Sequence, residues 1–291
     1  MSAWPSGRLP STCSIPMPET RYRFLATTMR SLLQRIAASI QKSSHDRGED
    51  ARELPKVSTS FSAPEVEVLE RVRPYTLTSS ERLVALMDAT AYIIRRAVPG
   101  ALIECGVWRG GSVLAMIETL QRLGVTDREI FLYDTFEGMT RPGALDNSPF
   151  EEEPSALATW SRHQSHGSRA WDWAFGPDVF SLEQVRELIY STGYPRDLIH
   201  FVAGPVEETL PEQAPVEIAL LRLDTDWYES THHELVHLYP KLAEGGVLII
   251  DDYGHWEGAR RAVDEYFASD AQPLLLARID YTGRMGVKSP A

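Results

Sequence analysis

Residues 101–134 read ALIECGVWRGGSVLAMIETLQRLGVTDREIFLYD. ALIEC (Ala101–Cys105) is a short apolar run that stops at glycine, the pattern of a buried strand. Gly106, Gly110 and Gly111 then turn the chain into a helix over Ser112–Leu123, and EIFLYD (Glu129–Asp134) is a second apolar run. Strand, glycine turn, helix and strand make a βαβ unit, whose two strands must be parallel because a helix crosses between them.

The same alternation continues downstream. A capping box from Ser181 to Gln184 opens a helix over Ser181–Tyr190. Leu198–Ala203, Glu217–Asp224 and Val247–Asp251 are further strands, and a capping box from Thr231 to Glu234 is expected to open the helix between the last two. Pro273–Tyr281 and Arg284–Lys288 read as an antiparallel hairpin at the sheet edge. Upstream, Thr78-Ser79-Ser80-Glu81 reads as a capping box before an apolar-periodic helix through Leu83, Leu86, Met87 and Ile93. The expected fold class is α/β, with a central, mostly parallel sheet. Residues 135–180 break the rhythm: they hold Gly, Pro, several Trp and an acidic Glu151–Glu153 run. A stretch this long without periodicity reads as a lid, and its place after the second strand puts it above the carboxyl edge of the sheet, where ligands bind.

The N-terminal part is different in character. Residues 1–20 are rich in Pro and Ser and read as disordered. Within 21–42, Leu25, Met29, Leu32, Leu33, Ile36 and Ile40 recur at helical spacing between Arg21, Arg23, Arg30, Arg35 and Lys42. A basic amphipathic helix suits a membrane surface or a transit peptide; a cap, or a contact helix in a homo-oligomer, is the plainer reading. Residues 43–60 read as a linker, so the chain divides into a leader over 1–60 and a folded domain over 61–291.

Composition bounds the function. The chain has 291 residues, 43% of them hydrophobic and 24% charged, and a formal net charge of −12. An acidic surface repels phosphate backbones, which argues against nucleic acid as a partner. Its two cysteines, Cys13 and Cys105, fall in the leader and in a core strand, which suits a reducing cytoplasm and no disulfide. No apolar run approaches the roughly 20 residues of a membrane span.

The motifs then point to chemistry. The spacing after the first strand is G-x-x-x-G-G, not the dinucleotide G-x-G-x-x-G that seats a pyrophosphate on a helix N-terminus. Glu104, just before the turn, suits the cationic methionine end of S-adenosylmethionine, which has no pyrophosphate. Asp134 lies 23 positions after Gly111, near the roughly 20-residue offset at which an acid meets ribose hydroxyls in such folds. An ordinary βα turn and a strand-terminal Asp capping it would explain each signal alone; together they favour an adenosine ligand. Asp224 and Asp226 end one strand and Asp251 and Asp252 the next, so four carboxylates gather at neighbouring strand tips, where a hard divalent cation such as Mg²⁺ would offset their repulsion. If the strand continues, alternation leaves Asp224 and Asp226 on the same side, one free to bind metal and the other to take a proton. His232, His233 and His255 have no zinc spacing, and His255 is the one nearest the acids in sequence.

The stretches ECGVWRGGS, YDTFEGM, AGPVEETLP (203–211), RLDTDWYEST (222–231) and GGVLIIDDYGHW with GARRAVDEYF (245–267), preceded by RPYTLTSSERL (73–83), resemble the macrocin O-methyltransferase family, which includes enzymes that methylate deoxysugar hydroxyls of macrolide and aminocoumarin antibiotics. The resemblance implies a Rossmann-like class I methyltransferase using S-adenosylmethionine and Mg²⁺ on a small-molecule acceptor. It implies that Asp224, Asp251 and Asp252 hold the metal, that Asp226 is the general base, and that Glu104, Gly106, Ser112 and Asp134 line the cofactor with Thr76 and Leu77 near its methionine end. A phenol or catechol acceptor would use the same apparatus. A D-x-D glycosyltransferase would leave Glu104 and Asp134 without a role, and a non-catalytic binding module would leave the acids idle.

Overall fold

A computed structural model describes residues 61–176, 179–269 and 274–289. The expected leader helix within 21–42 lies outside the described residues. The longer elements run α1 (Ala63–Val72), α2 (Ser80–Arg95), β1 (Ala101–Cys105), α3 (Gly111–Arg122), β2 (Ile130–Asp134), α4 (Ala156–Ser165), α5 (Asp172–Phe175), α6 (Leu182–Ser191), β3 (Ile199–Ala203), α7 (Val206–Thr209), β4 (Ile218–Leu223), α8 (Tyr228–Leu238), β5 (Leu242–Ile250), α9 (Glu257–Ser269), β6 (Ala277–Arg278) and β7 (Arg284–Val287).

The strands form one sheet in the order β3-β2-β1-β4-β5-β7-β6. The first five are parallel; β7 runs antiparallel to β5, and β6 to β7. This is the Rossmann-like arrangement with an antiparallel edge hairpin. Side chains alternate between two cores: Leu102, Leu220, Val247 and Ile249 face the core that includes residues of α1, α2 and α3, while Ile103, Leu221, Leu248 and Ile250 face the core that includes residues of α8 and α9. Both faces are covered, so β1 and β4 are buried along their whole length and are apolar apart from one charged residue each, Glu104 and Arg222.

The order reverses between β1 and β4, which opens a crevice at their carboxyl ends. Register fixes what meets there. Cys105 pairs with Leu223, and Leu223 with Ile250. The next residues, Gly106, Asp224 and Asp251, therefore share one row, held by Asp224 N to Cys105 O at 2.8 Å and Asp251 N to Leu223 O at 2.9 Å.

Three local expectations are corrected. Ser79, not Thr78, caps α2, and its hydroxyl accepts from the backbone of Arg82 instead of Glu81. Thr231 lies inside α8, whose N-cap is Trp227, so its spacing to Glu234 is a helical repeat and not a cap. Strand β5 begins at Leu242 and not Val247, because Leu242 pairs with Ile218 across a register shift that takes up Gly245-Gly246 within the strand. The 135–180 segment also carries regular structure of its own in α4 and α5.

Candidate active site

Gly106 follows β1 with φ +82°, and a Cβ there would lie 1.9 Å from the carbonyl oxygen of Asp224, so only glycine lets these two strand ends touch. Gly111 opens α3 against the backbone of Tyr75, where a Cβ would come within 2.5 Å of the carbonyl oxygen. That contact lays the Tyr75–Thr78 segment across the turn. Asp134, ending β2, reaches back to the same turn. Its Oδ2 accepts from the backbone N–H of Val107 at 2.7 Å and of Trp108 at 3.0 Å, and its Oδ1 from Phe136 at 2.7 Å. Burial raises the Asp134 pKa and these N–H groups oppose the rise. Asp134 therefore shapes the glycine turn as well as facing the crevice.

Glu104 lies beneath the turn, 1% exposed, and does not itself line the crevice. It is paired with Arg222, a guanidinium buried to 1% near the carboxyl end of β4. The same arginine lies 2.9 Å from Asp224 and 2.5 Å from Asp251, and it donates to the Thr78 hydroxyl at 3.1 Å. Arg82, from α2, pairs with Asp251 and, at 3.0 Å, with Asp280 of the hairpin. The acids at the strand tips are thus partly compensated by two arginines. Neither was singled out from sequence, although a charged residue within the apolar run IALLRLD is a visible signal for Arg222.

Ligand oxygens of Asp224, Asp251 and Asp252 lie within 4.8 Å of one another. Burial, and then the Asp224 charge, push the Asp252 carboxyl up to about 7, against the pull of Arg82 and Arg222. Asp226 does not continue the strand: β4 ends at Leu223, and Asp226 has φ +66°. The expected alternation is replaced by a left-handed turn, closed by Trp227 N donating to Thr225 O at 2.7 Å. The turn still brings Asp226 beside the acids, where its N–H donates to Asp252 Oδ2 at 3.2 Å. Burial first, and then the charges of Asp252 and Asp224, raise its pKa well above the usual carboxylate range, and the indole N–H of Trp256 works against that rise at 2.8 Å from Oδ1. Trp256 was likewise not picked out from sequence.

One cavity of about 410 Å³ joins the two halves, within the usual size of a small-molecule site. Thr76, Leu77, Gly106, Ser112 and Asp134 line one end, and Asp224, Asp226, Asp251 and Asp252 the other. His255 also lines it, with Nε2 3.2 Å from Glu151 and Nδ1 3.2 Å from the Tyr281 hydroxyl, whereas His232 and His233 lie on α8 away from it.

The family profile described as "Macrocin-O-methyltransferase (TylF)" matches residues 70–286, the span that supplies every one of these side chains. The chain belongs to that family. It is 35% identical over 209 residues to the 8-demethyl-8-(2,3-dimethoxy-alpha-L-rhamnosyl)-tetracenomycin-C 4'-O-methyltransferase of Streptomyces olivaceus, covering 72% of this chain and 74% of that one. It is 33% identical over 195 residues to the demethyldecarbamoylnovobiocin O-methyltransferase of Streptomyces niveus, covering 67% and 68%. Among solved structures, that of the O-methyltransferase NovP superposes with a TM-score of 0.62 at 30% identity, over 74% of this chain and 83% of that one.

This macrocin O-methyltransferase family member is therefore an enzyme that methylates oxygen, and S-adenosylmethionine is the methyl donor its fold and family imply. The crevice suits that donor: it has glycine backbone at Gly106, a strand-terminal acid at Asp134 and no dinucleotide turn. Among the described residues, no helix is long and apolar enough to cross a membrane.

Proposed function

We propose that this enzyme methylates a sugar hydroxyl of a small natural-product glycoside, with Mg²⁺ held by Asp224, Asp251 and Asp252 and with Asp226 as general base. The observation that carries the proposal is the clustering of those three carboxylates within 4.8 Å of one another, beside Asp226 and in the same cavity as the glycine turn. The relatives' names supply the sugar: one acts on a rhamnosyl group.

Gly106 and Ser112 would meet the cofactor, with Thr76 and Leu77 covering its methionine end and Asp134 offering its remaining lone pairs to the ribose hydroxyls. Glu104 acts one layer below, by balancing Arg222. When bound, S-adenosylmethionine supplies an electrophilic sulfonium methyl and Mg²⁺ supplies Lewis acidity that lowers the pKa of an acceptor hydroxyl. Asp226 takes the hydroxyl proton as the oxygen–methyl bond forms and the methyl–sulfur bond breaks. Trp256 holds the Asp226 carboxylate toward the cavity, and the Trp227 and Trp171 rings keep water from that wall. Orientation of the acceptor oxygen against the methyl supplies much of the rate.

The testing experiment measures methyl transfer to an L-rhamnoside with and without EDTA. Loss of turnover on chelation, with recovery on adding Mg²⁺, is the expected result; full activity in excess EDTA would remove the metal from the account.

A further inference from the structure

One acid of the 135–180 insertion is buried away from the cavity. Asp146 is 1% exposed and is not among the lining residues. Its Oδ1 accepts from the backbone N–H of Tyr228 at 2.8 Å and its Oδ2 from that of Gly143 at 2.6 Å. Tyr228 is the first residue of α8, and Trp227 at the N-cap offers that helix no side-chain cap. The opening N–H groups of a helix have no partner within it, and a carboxylate suits that end of the dipole. Asp146 therefore supplies, across 82 residues of chain, the cap that the local sequence lacks.

The same carboxylate touches α9. A Cβ on Gly258 would lie 1.9 Å from Asp146 Oδ1 and 3.1 Å from the Tyr228 backbone nitrogen, so glycine here lets α9, the carboxylate and the start of α8 meet. Beside it, the Asn147 carbonyl accepts at 2.8 Å from the N–H of Glu257, the first residue of α9. The Thr140 carbonyl accepts from the Trp227 indole at 3.1 Å. The insertion is thus fastened to the beginnings of both helices.

These two anchor points stand in the same relation to the reaction centre. Tyr228 lies two residues after Asp226, and Gly258 two residues after Trp256, whose indole donates to Asp226 at 2.8 Å. One carboxylate therefore holds both the turn that carries the proposed base and the segment that carries its hydrogen-bond donor. A Ser or Asp at the N-cap itself would also cap α8; a cap supplied by the insertion makes the place of the turn depend on the insertion being seated. Resting on the reading of Asp226 as the base, we infer that Asp146 is a positioning residue for methyl transfer, aligning the Asp226–Trp256 pair through the first turns of α8 and α9.

The test measures kcat, KM for S-adenosylmethionine and an L-rhamnoside, and half-saturation by Mg²⁺, well below the unfolding temperature of each variant. Asp146→Ala should lower kcat by about tenfold to a hundredfold, the scale on which a misplaced group slows a reaction, with both KM values and the Mg²⁺ requirement near wild type. Asp146→Asn keeps an acceptor for Tyr228 and should recover most of the loss. Gly258→Ala keeps the carboxylate and puts the better helix former into α9, yet it crowds Oδ1 and should lower kcat as well. Added to Asp146→Ala it should cost little more, because the crowded oxygen is gone. In an Asp226→Asn background, Asp146→Ala should lower kcat little further. Wild-type kcat in Asp146→Ala or in Gly258→Ala would overturn the inference, as would a loss carried by KM. An equal drop from Asp146→Ala with and without Asp226→Asn would overturn it and leave the base intact. Wild-type kcat in Asp226→Asn would remove the base and this role together.

Discussion

The Trp256 indole N–H donates to the Asp226 carboxylate at 2.8 Å, across a left-handed turn that ends β4. The donor comes from the segment after β5, so the two strand tips are joined through the proposed base itself. Trp256→Phe keeps the ring and removes the donor. It should lower kcat by about tenfold, the worth of one hydrogen bond to a charged group, with little change in the Mg²⁺ requirement. Unchanged kcat would show that the indole does not position Asp226.

Arg222 is the buried centre of the site, facing Glu104, Asp224 and Asp251 at once. Arg222→Met leaves those carboxylates facing one another in the interior. Breaking a buried pair from one side costs about 3–5 kcal/mol, and thermal unfolding should show a loss of that order. Burial pushes the Glu104 carboxyl up to about 8 against the pull of Arg222, so Glu104→Gln changes little charge and should cost less. Equal loss from both variants would argue that Arg222 serves Glu104 alone.

Much of this was legible in the sequence. The short apolar runs of β1 to β5 declared a parallel sheet because helices alternate with them, and strands joined by crossing helices run the same way. The acids at the tips of β2, β4 and β5 were legible because strands joined by helices must end at the same edge. What local pattern did not reveal was compensation. Arg222 and Arg82 reach the acids through strand register and through a helix that crosses above the sheet, contacts made across 29 and 169 residues of chain. The Asp226 turn was also missed, since alternation assumes a strand that continues. The last parallel strand was expected only from Val247, whereas pairing from Leu242 takes Gly245-Gly246 into β5.

Glu234, fully buried on α8, accepts from the Thr225 hydroxyl at 3.1 Å behind the turn that carries Asp226. Burial raises its pKa well above the ordinary value, so the folded chain keeps a proton that the unfolded chain releases above about pH 4.3. Stability from this group is present below that pH and is lost as pH rises toward the folded pKa. Glu234→Gln carries no such proton. Its unfolding temperature should therefore fall less than that of the wild type between pH 5 and 8, by about a few degrees; parallel profiles would show that Glu234 ionises freely.

Asp134→Ala removes both the backbone clamp on Val107 and Trp108 and the proposed ribose acceptor. S-adenosylhomocysteine should bind more weakly by about 1.5–3 kcal/mol, the range for hydrogen bonds to a charged group. Calorimetry with equal affinity for both proteins would exclude the ribose role.

The most direct measurement is a Mg²⁺ titration of turnover for Asp226→Asn beside Asp224→Asn. Asp226→Asn should lose about 10²–10⁴ in kcat, the usual worth of a general base, while half-saturation by Mg²⁺ stays near the wild-type value. Asp224→Asn should instead shift that half-saturation upward, with kcat partly restored at high Mg²⁺. Wild-type kcat in Asp226→Asn, or its full rescue by excess Mg²⁺, would contradict the assignment of Asp226 as the base.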